Sequence, residues 1–330
     1  MITTTSQSHP VDIGNRQRIY ASGLAKTENE LKEIRRRIEQ AASRGGLTSR
    51  DERLLEYLRE LNVLTIAQVQ RLLWPAAQVR TAYKRINDLA NLGLVGRVRS
   101  LSIELEAWGL TSGIVYTLAA GGRMWLQDEV SDDYVARRLK RDQVIHDLLG
   151  AELGVRLTEA TLSRGQGWEI NLAGERAASF YERDAALPLV RPDALVVVRH
   201  WQTPGKAATL PLFVEIDASR EAHGRPSSDW GRKVHGYDAV SAGQWQQHPV
   251  LSTLGIFPWV LVVTHGAQRL QNLAAAIGKH RRQPVVYQLG QWAELIAAED
   301  VLTAPIWTVI NPDGQLASGQ PLIPAAKQTE

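Results

Sequence analysis

Apolar residues recur at helical spacing through the first third of the chain. Leu31, Ile34 and Ile38 lie three to four places apart within residues 27–42, and Gly45-Gly46 stops the run. Thr27 followed three places on by Glu30 has the form of a capping box, which places the helix start there. Arg35 to Arg37 form a basic turn that reads as a solvated face or as a phosphate contact. Leu54, Leu55, Leu58 and Leu61 predict a second helix, and Thr65 caps a short third one carrying Ile66, Val69, Leu72 and Leu73. Trp74-Pro75 breaks the chain, and Ala76 to Leu92 predicts a longer helix with Gln78, Arg80, Lys84 and Arg85 among its polar positions. Leu94 to Arg99 and Ile114 to Leu118 then read as the two strands of a hairpin.

From Asp132 the pattern changes. Tyr134 to Leu157 predicts a long helix with Val135, Leu139, Val144, Ile145, Leu148 and Leu149 on its apolar face. Strands are predicted at Thr158 to Leu162, Trp168 to Leu172, Ala194 to Val198 and Leu210 to Ile216. A helix from about Asp229 to Val240 leads to the apolar strand Trp259 to Thr264. Helix Gln268 to Ile277, strand Val285 to Gln288, helix Gln291 to Ala298 and a short strand near Trp307 complete the series. Residues 311–330, rich in Gly, Pro, Gln and Ala, read as a flexible tail.

With 330 residues, 44% of them hydrophobic and 22% charged, the chain can build one large or two smaller cores. The absence of cysteine excludes thiol nucleophiles, disulfides and Cys-ligated metal centres. No secretory leader or membrane-length apolar stretch is evident, so a cytoplasmic protein is expected. The charge is uneven. Residues 1–120 hold 17 basic and 12 acidic side chains, a balance of +5, and the other 21 and 23 give −2. A basic front end fits nucleic-acid contact, and a helix-rich surface module gives similar counts.

The order of the first elements, helix, short helix, turn, longer helix and hairpin, is that of a winged helix, whose third helix enters the major groove. On that plan residues 1–46 form a basic helical arm and 47–125 a DNA-binding domain. Arg80, Lys84 and Arg85 would lie on the recognition helix, with Arg97 and Arg99 on one face of the wing. A winged helix used for protein contact is the alternative.

The sharpest local signal is Phe213-Val-Glu-Ile-Asp-Ala-Ser219. Strand periodicity puts Glu215 and Asp217 on one face, and two carboxylates in an apolar strand require a cation nearby. Asp193 opens the preceding strand, and a hairpin through Pro204-Gly205 would bring it to Glu215. Oxygen ligands so placed suit Mg²⁺ or Mn²⁺, with a bound water as nucleophile on a phosphate. Lys233 on the next helix would stabilise phosphate charge, and Tyr237, one turn on, is either a core residue or a covalent nucleophile. Trp230 reads as core or as a platform for an unpaired base.

Helix, strands, Pro-Asp, Glu-x-Asp, helix and strand follow the αβββαβ order of a restriction-endonuclease-like core, here over residues 132–310. The fold class expected is therefore α/β, a winged-helix domain followed by that core. Arg191-Pro192-Asp193, Phe213 to Asp217, Lys233 to Tyr237, Phe257 to Thr264 and His146-Asp147 on the long helix together resemble the replication-relaxation proteins of plasmids and other mobile elements. The resemblance runs from about Leu47 to Trp307. It implies a metal-dependent nicking endonuclease acting on DNA at a plasmid or mobile-element origin, with other mobilisation or replication proteins as partners. It further implies Asp193 and Glu215 as ligands of Mg²⁺ or Mn²⁺, Asp217 as a third, Lys233 as the phosphate-facing lysine, and His146 as a site residue. The usual nuclease pattern has lysine two places after the acidic residue, where this chain has Asp217. A DNA-binding initiator or regulator that keeps the nuclease fold as a scaffold is therefore the second expectation. No pair of histidines separated by one residue, no Gly-x-x-x-x-Gly-Lys loop and no His-Glu-x-x-His occurs, so histidine-ligated relaxase, NTPase and zinc-protease mechanisms have no motif here.

Overall fold

The computed structural model describes residues 18–19, 21–22, 27–98, 108–110, 113–127, 139–181, 188–203, 205–218, 229–311 and 315–324. Three capping boxes set out the first part of the chain. Thr27, Thr48 and Thr65 each accept a hydrogen bond from the backbone N–H three residues on, while Glu30, Asp51 and Gln68 reach back to the N–H of the cap residue. They start α1 (Glu28–Ser43), α2 (Ser49–Glu60) and α3 (Ile66–Leu73), and α4 (Val79–Asn91) follows. Leu54, Leu55, Leu58, Val69, Leu72, Ala82, Ile86 and Leu89 meet in one core, the stripes that the spacing predicts. The strands β1 (Val63–Thr65), β2 (Val95–Val98) and β3 (Val115–Leu118) pair antiparallel in the order Ala21–Ser22, β2, β3, β1. A short helix, α5 (Ala120–Trp125), follows this sheet.

The second part is a mixed seven-stranded sheet between helical layers. Its strands are β4 (Trp168–Gly174), β5 (Ala194–Thr203), β6 (Lys206–Asp217), β7 (Trp259–Thr264), β8 (Tyr287–Gln291), β9 (Trp307–Ile310) and β10 (Leu316–Gln320), lying side by side in chain order. Among the described residues only β6–β7 and β7–β8 pair parallel. Alternation assigns each strand residue a layer. Val196, Val198, Val214 and Ile216 meet Val144, Leu148 and Leu153 of α6 (Arg141–Leu162), while Leu195, Val197 and Phe213 meet α7 (Asp229–Ser241) and α8 (Ala267–His280) through Trp230, Val234, Tyr237 and Leu273. A further short helix, α9 (Trp292–Ala297), packs on the α6 side through Trp292 and Leu295. No helix among the described residues is long and apolar enough to cross a membrane.

Two sequence expectations change. Residues 158–162 continue α6 rather than forming a strand. Thr158 and Thr161 are fully buried and donate their hydroxyls to the carbonyls of Gly154 and Leu157, which satisfies both groups within the helix. The expected flexible tail contains an edge strand, β10, paired antiparallel with β9, and Leu322 beyond it is buried. Its polar composition hid an element held by backbone pairing rather than by apolar alternation. The long helix is described from Arg141, and its expected start at Tyr134 lies outside the described residues, as does Arg99.

The two parts are joined by charge and by aromatic packing. Arg71 of α3 donates to Glu152 at 2.8 Å and to Glu159 at 2.8 Å on α6, and Gln68 and Arg156 add bonds of 3.1 and 2.8 Å to the nearly buried Glu152. Between β2 and β3, the backbone carbonyl of Trp108 accepts from the Trp292 indole at 2.7 Å and its ring stands edge-on to His265 at 4.6 Å, while Leu110 enters the core beneath α6. Arg71→Met should leave Glu152 short of one cation and lower the unfolding free energy by about 2 kcal/mol. Urea unfolding followed by circular dichroism measures the loss, and an unchanged midpoint would show that Arg156 alone neutralises Glu152.

Candidate functional site

The end of the sheet where β5 begins and β6 finishes collects the chemistry. Ala194 pairs with Val214, so Asp193, one residue earlier, stands beside Glu215. Its backbone N–H donates to the Val214 carbonyl at 2.9 Å, and its Oδ2 accepts the Ile216 N–H at 2.7 Å. The carboxyl end of parallel strands in an α/β sheet is where crevices form and ligands bind. Gly236 on α7 admits the approach to this place. A Cβ there would stand 2.5 Å from the carbonyl oxygen of Leu189, in the segment Pro188–Val190 that leads into Asp193.

Glu215 has no exposed surface. Lys233 Nζ donates to its Oε2 at 2.7 Å and the Tyr237 hydroxyl to its Oε1 at 2.6 Å, both from the same face of α7. Burial pushes the Glu215 carboxyl up to about 7, opposed by the Lys233 charge and reinforced by that of Asp193. Tyr237 is itself fully buried, and burial with the adjacent Glu215 charge raises its hydroxyl well above its ordinary value. It is a core residue that orients Glu215, with no access for a substrate as a nucleophile would need. Trp230 is likewise fully buried, with Lys233 Nζ 5.1 Å from its ring, so it is a wall of the site and not a base platform.

His146 reaches the same end of the sheet from the α6 layer. Its Nε2 lies 3.1 Å from the Ile216 carbonyl oxygen and 3.4 Å from Asp193 Oδ2, and its Nδ1 faces Asp147 at 3.8 Å. Burial alone would lower the imidazole pKa, but hydrogen bonding and charge from Asp147 and Asp193 outweigh it and raise it to about 10. Burial likewise favours a neutral Asp193, yet His146 and Lys233 hold its carboxyl below the usual range. The side chains of His146, Asp193 and Lys233 keep 26%, 19% and 22% of their surface exposed, which makes them the open rim in front of a closed Glu215.

Asp217 shares the strand face of Glu215 but not its cluster. Arg269 of α8 donates to both of its oxygens, at 2.7 and 2.8 Å, and Thr264 adds a third bond at 2.8 Å. Burial opposes ionisation there, and the Arg269 and Thr264 bonds hold the carboxyl below its ordinary range. Asp217 therefore offers no oxygen as the expected third ligand; it is the anchor of α8. Sequence reasoning missed Arg269. Its signal was positional, since parallel pairing of Asp217 with Thr264 sets the first turn of the following helix over that carboxylate.

The expected DNA-contacting residues divide in the same way. Arg80 and Lys84 line a shallow pocket on α4 with Arg50 and Trp74, the Arg50 guanidinium standing 5.5 Å over the Trp74 ring. Arg85 lines the same pocket but also donates to Asp51 at 2.7 Å and to the Gly46 carbonyl at 2.6 Å, which makes it a strut between α4 and the cap of α2. Arg97 donates to Asn87 at 2.9 Å.

Among the described residues no three His, Asp or Glu side chains converge as a metal site. Asp193 and Glu215 carry the oxygens that a hard divalent cation takes, but Lys233 and Tyr237 engage both oxygens of Glu215 and the Ile216 N–H engages Asp193 Oδ2, and Asp217 stands outside the pair. Residues 55–253, more than half of the chain, match the family model described as replication-relaxation. No curated protein and no solved structure matches the chain.

The two raised pKa values slope stability in one direction. With Glu215 near 7 and His146 near 10, the folded chain holds more protons than the unfolded one from about pH 4.5 to 10, so stability falls as pH rises through that range. Asp193 and Asp217, held low, act on the acid side, and their contribution is lost as pH falls below about 4. Thermal unfolding in chelator is expected to give a lower midpoint at pH 9 than at pH 5. Glu215→Gln should flatten the lower half of the decline and His146→Gln the upper half; a midpoint that climbs steadily to pH 9 would contradict both assignments.

Proposed function

The chain belongs to the replication-relaxation family, and we propose that it is a DNA nicking endonuclease of a plasmid or other mobile element, whose first part selects the site and whose sheet cleaves one strand. The observation that carries the proposal is the Asp193–Glu215 pair at the carboxyl end of the central strands, with Lys233 Nζ 2.7 Å from Glu215. The order of α2, α3, α4 and the β2–β3 hairpin supports a winged helix, with α4 as its recognition helix. The strand order and the placement of α6 and α7 support the restriction-endonuclease-like core.

Asp193 and Glu215 would hold Mg²⁺ or Mn²⁺, which supplies charge for the scissile phosphate and a water of lowered pKa. Lys233, on the open rim, would turn its ammonium toward the developing charge on the phosphate. Tyr237 keeps Glu215 oriented and Trp230 forms a wall beside the lysine. With Tyr237 buried, strand cleavage here is hydrolysis by water rather than transfer to that tyrosine. A second reading, the DNA-binding initiator or regulator, is favoured by one specific feature. Lys233, His146 and Arg269 already neutralise Glu215, Asp193 and Asp217 one for one.

Supercoiled plasmid carrying the protein's own flanking DNA separates the two. Open-circular product that requires added Mg²⁺ or Mn²⁺, and that Glu215→Ala and Lys233→Ala each reduce by roughly a hundredfold or more, is expected of the endonuclease. Tight binding with no nicking in either metal would establish the initiator or regulator. On the binding side, Arg80→Ala and Lys84→Ala are each expected to flatten the log-log salt dependence of DNA affinity by about one unit per lost phosphate contact, and Arg85→Ala to act through stability instead. Fluorescence anisotropy over a salt series reads the slopes, and unchanged slopes in both surface variants would move the interface away from α4.

A further inference from the structure

We propose, on the reading that α4 is the recognition helix of a winged helix, that Val79 and Tyr83 are its base-reading residues and take thymine methyl groups in the major groove of duplex DNA. The inference stands on two large apolar side chains left outside the core. Val79 is 51% exposed and Tyr83 44%, while α4 packs through the buried Ala82, Ile86 and Leu89. Helix formation does not call for Val79 either, since a β-branched residue is a weaker helix former than alanine.

Their spacing makes them one surface. Residues four apart lie on the same flank of a helix, so Val79, Tyr83 and Asn87 form a line about 12 Å long, the rise of eight residues. That length covers about three to four base steps at roughly 3.4 Å each. Arg97 of β2 donates to Asn87 at 2.9 Å, so this flank borders the wing. Val79 is the first residue of α4, and it is the N-terminal residues of a recognition helix that reach base edges.

Charge sets the occupant. Arg80 and Lys84, each one position round the helix from the apolar pair, are exposed. On their other side lies the pocket where Arg50, Arg80, Lys84 and Arg85 face only Asp51 and Asp88, and Asp51 is already engaged by Arg85. Such a face draws a polyanion. An apolar ridge of two side chains bounded by Arg80, Lys84 and Arg97 falls well short of the roughly 800 Å² that a protein partner covers on each side. In the major groove the apolar group on offer is the C5-methyl of thymine, which the other three bases lack. The cations hold the phosphates without regard to sequence, and Val79 and Tyr83 supply the discrimination.

The test uses the full chain and a library of random-sequence DNA duplexes, from which bound sequences are selected and read. The selected duplex is then resynthesised with deoxyuridine at each thymine in turn, which removes the methyl alone, and affinities are measured by fluorescence anisotropy. The wild-type chain is expected to enrich a site containing thymine and to lose about fourfold in affinity when a contacted thymine becomes uracil. Val79→Ala and Tyr83→Ala should each abolish that loss at the thymine they contact and relax the selected sequence there, whereas Tyr83→Phe, which keeps the ring, should behave as wild type. Affinity for unselected duplex and its salt slope should stay unchanged in all three, because no phosphate contact is removed. Both positions are exposed, so the variants leave the core of α4 intact. An unchanged selected sequence and unchanged uracil sensitivity in both alanine variants would overturn the assignment of these residues while leaving α4 on the DNA, as would an equal loss of affinity for selected and unselected duplex. A wild-type chain that binds duplex but enriches no sequence would overturn it together with the recognition-helix role of α4, and no binding of any duplex would sink the DNA-binding reading itself.

Discussion

A carboxylate with no exposed surface at the end of a central strand is the constraint around which the second half of the molecule is arranged. Glu215 sits between Val214 and Ile216, both packed on α6, and its own side chain faces α7. An unpaired charge there would cost several kcal/mol, so the fold must deliver a cation and a hydroxyl to its two oxygens. Lys233 and Tyr237 do this only if α7 lies close to the sheet and is rotated to present that one face. Closeness in turn depends on Gly236, which lets the backbone of Leu189 pass where a side chain would otherwise stand. The same passing segment leads into Asp193. Strand, helix and connecting segment are thus set by satisfying a single side chain.

The neighbouring carboxylates extend this logic to the other helices. Asp193 is met by His146 of α6 and Asp217 by Arg269 of α8, so α6, α7 and α8 each contribute one basic side chain to one end of the sheet. Apolar layers alone would let these helices slide or rotate, because hydrophobic contact is non-directional. Directional charge-assisted bonds fix their angular settings and thereby the shape of the rim. Further along α6, Glu152 and Glu159 receive Arg71, so the helix that presents His146 also carries the first part of the chain. The position of the site relative to α4 therefore follows from one continuous helix, with Trp108 as a second point of attachment.

Local signals in the sequence were legible where a single element decided them. The capping box at Thr27, the cap at Thr65, the leucine stripe of α2, the alternation around Glu215 and the shared face of Lys233 and Tyr237 each depend on spacing within one segment. What escaped depended on a partner distant in sequence. Nothing near Arg85 signals that Asp51, thirty-four residues earlier, pairs with it. Asp217 and Glu215 look alike on the strand, and only the helix packed over each shows that one belongs to the rim cluster and the other to a structural ion pair. Thr158 to Leu162 have the composition of a strand because the hydroxyls that satisfy themselves on a buried helix are invisible to a propensity argument. β10 escaped for the complementary reason, since an exposed edge strand needs backbone pairing and little apolar patterning.

The aspartate two places after Glu215, where a nuclease pattern would have lysine, weighs less against catalysis than composition implies. Phe213, Glu215 and Asp217 of β6 face the layer of α7 and α8, so a lysine at 217 and one rising from α7 approach the site from the same side of the sheet. Lys233 supplies the ammonium at 2.7 Å from Glu215, and the vacated position 217 becomes the attachment point of α8 through Arg269. The exchange conserves charge, two carboxylates gaining two cations, and it moves the lysine from a strand to a helix whose rotation is already fixed by Tyr237. Replacing Glu215 by an apolar residue would remove the need for Lys233, Tyr237 and Gly236 together, and buried ion pairs are seldom more stable than such replacements. On the function proposed above, the buried charge answers to chemistry at the rim rather than to the stability of the fold.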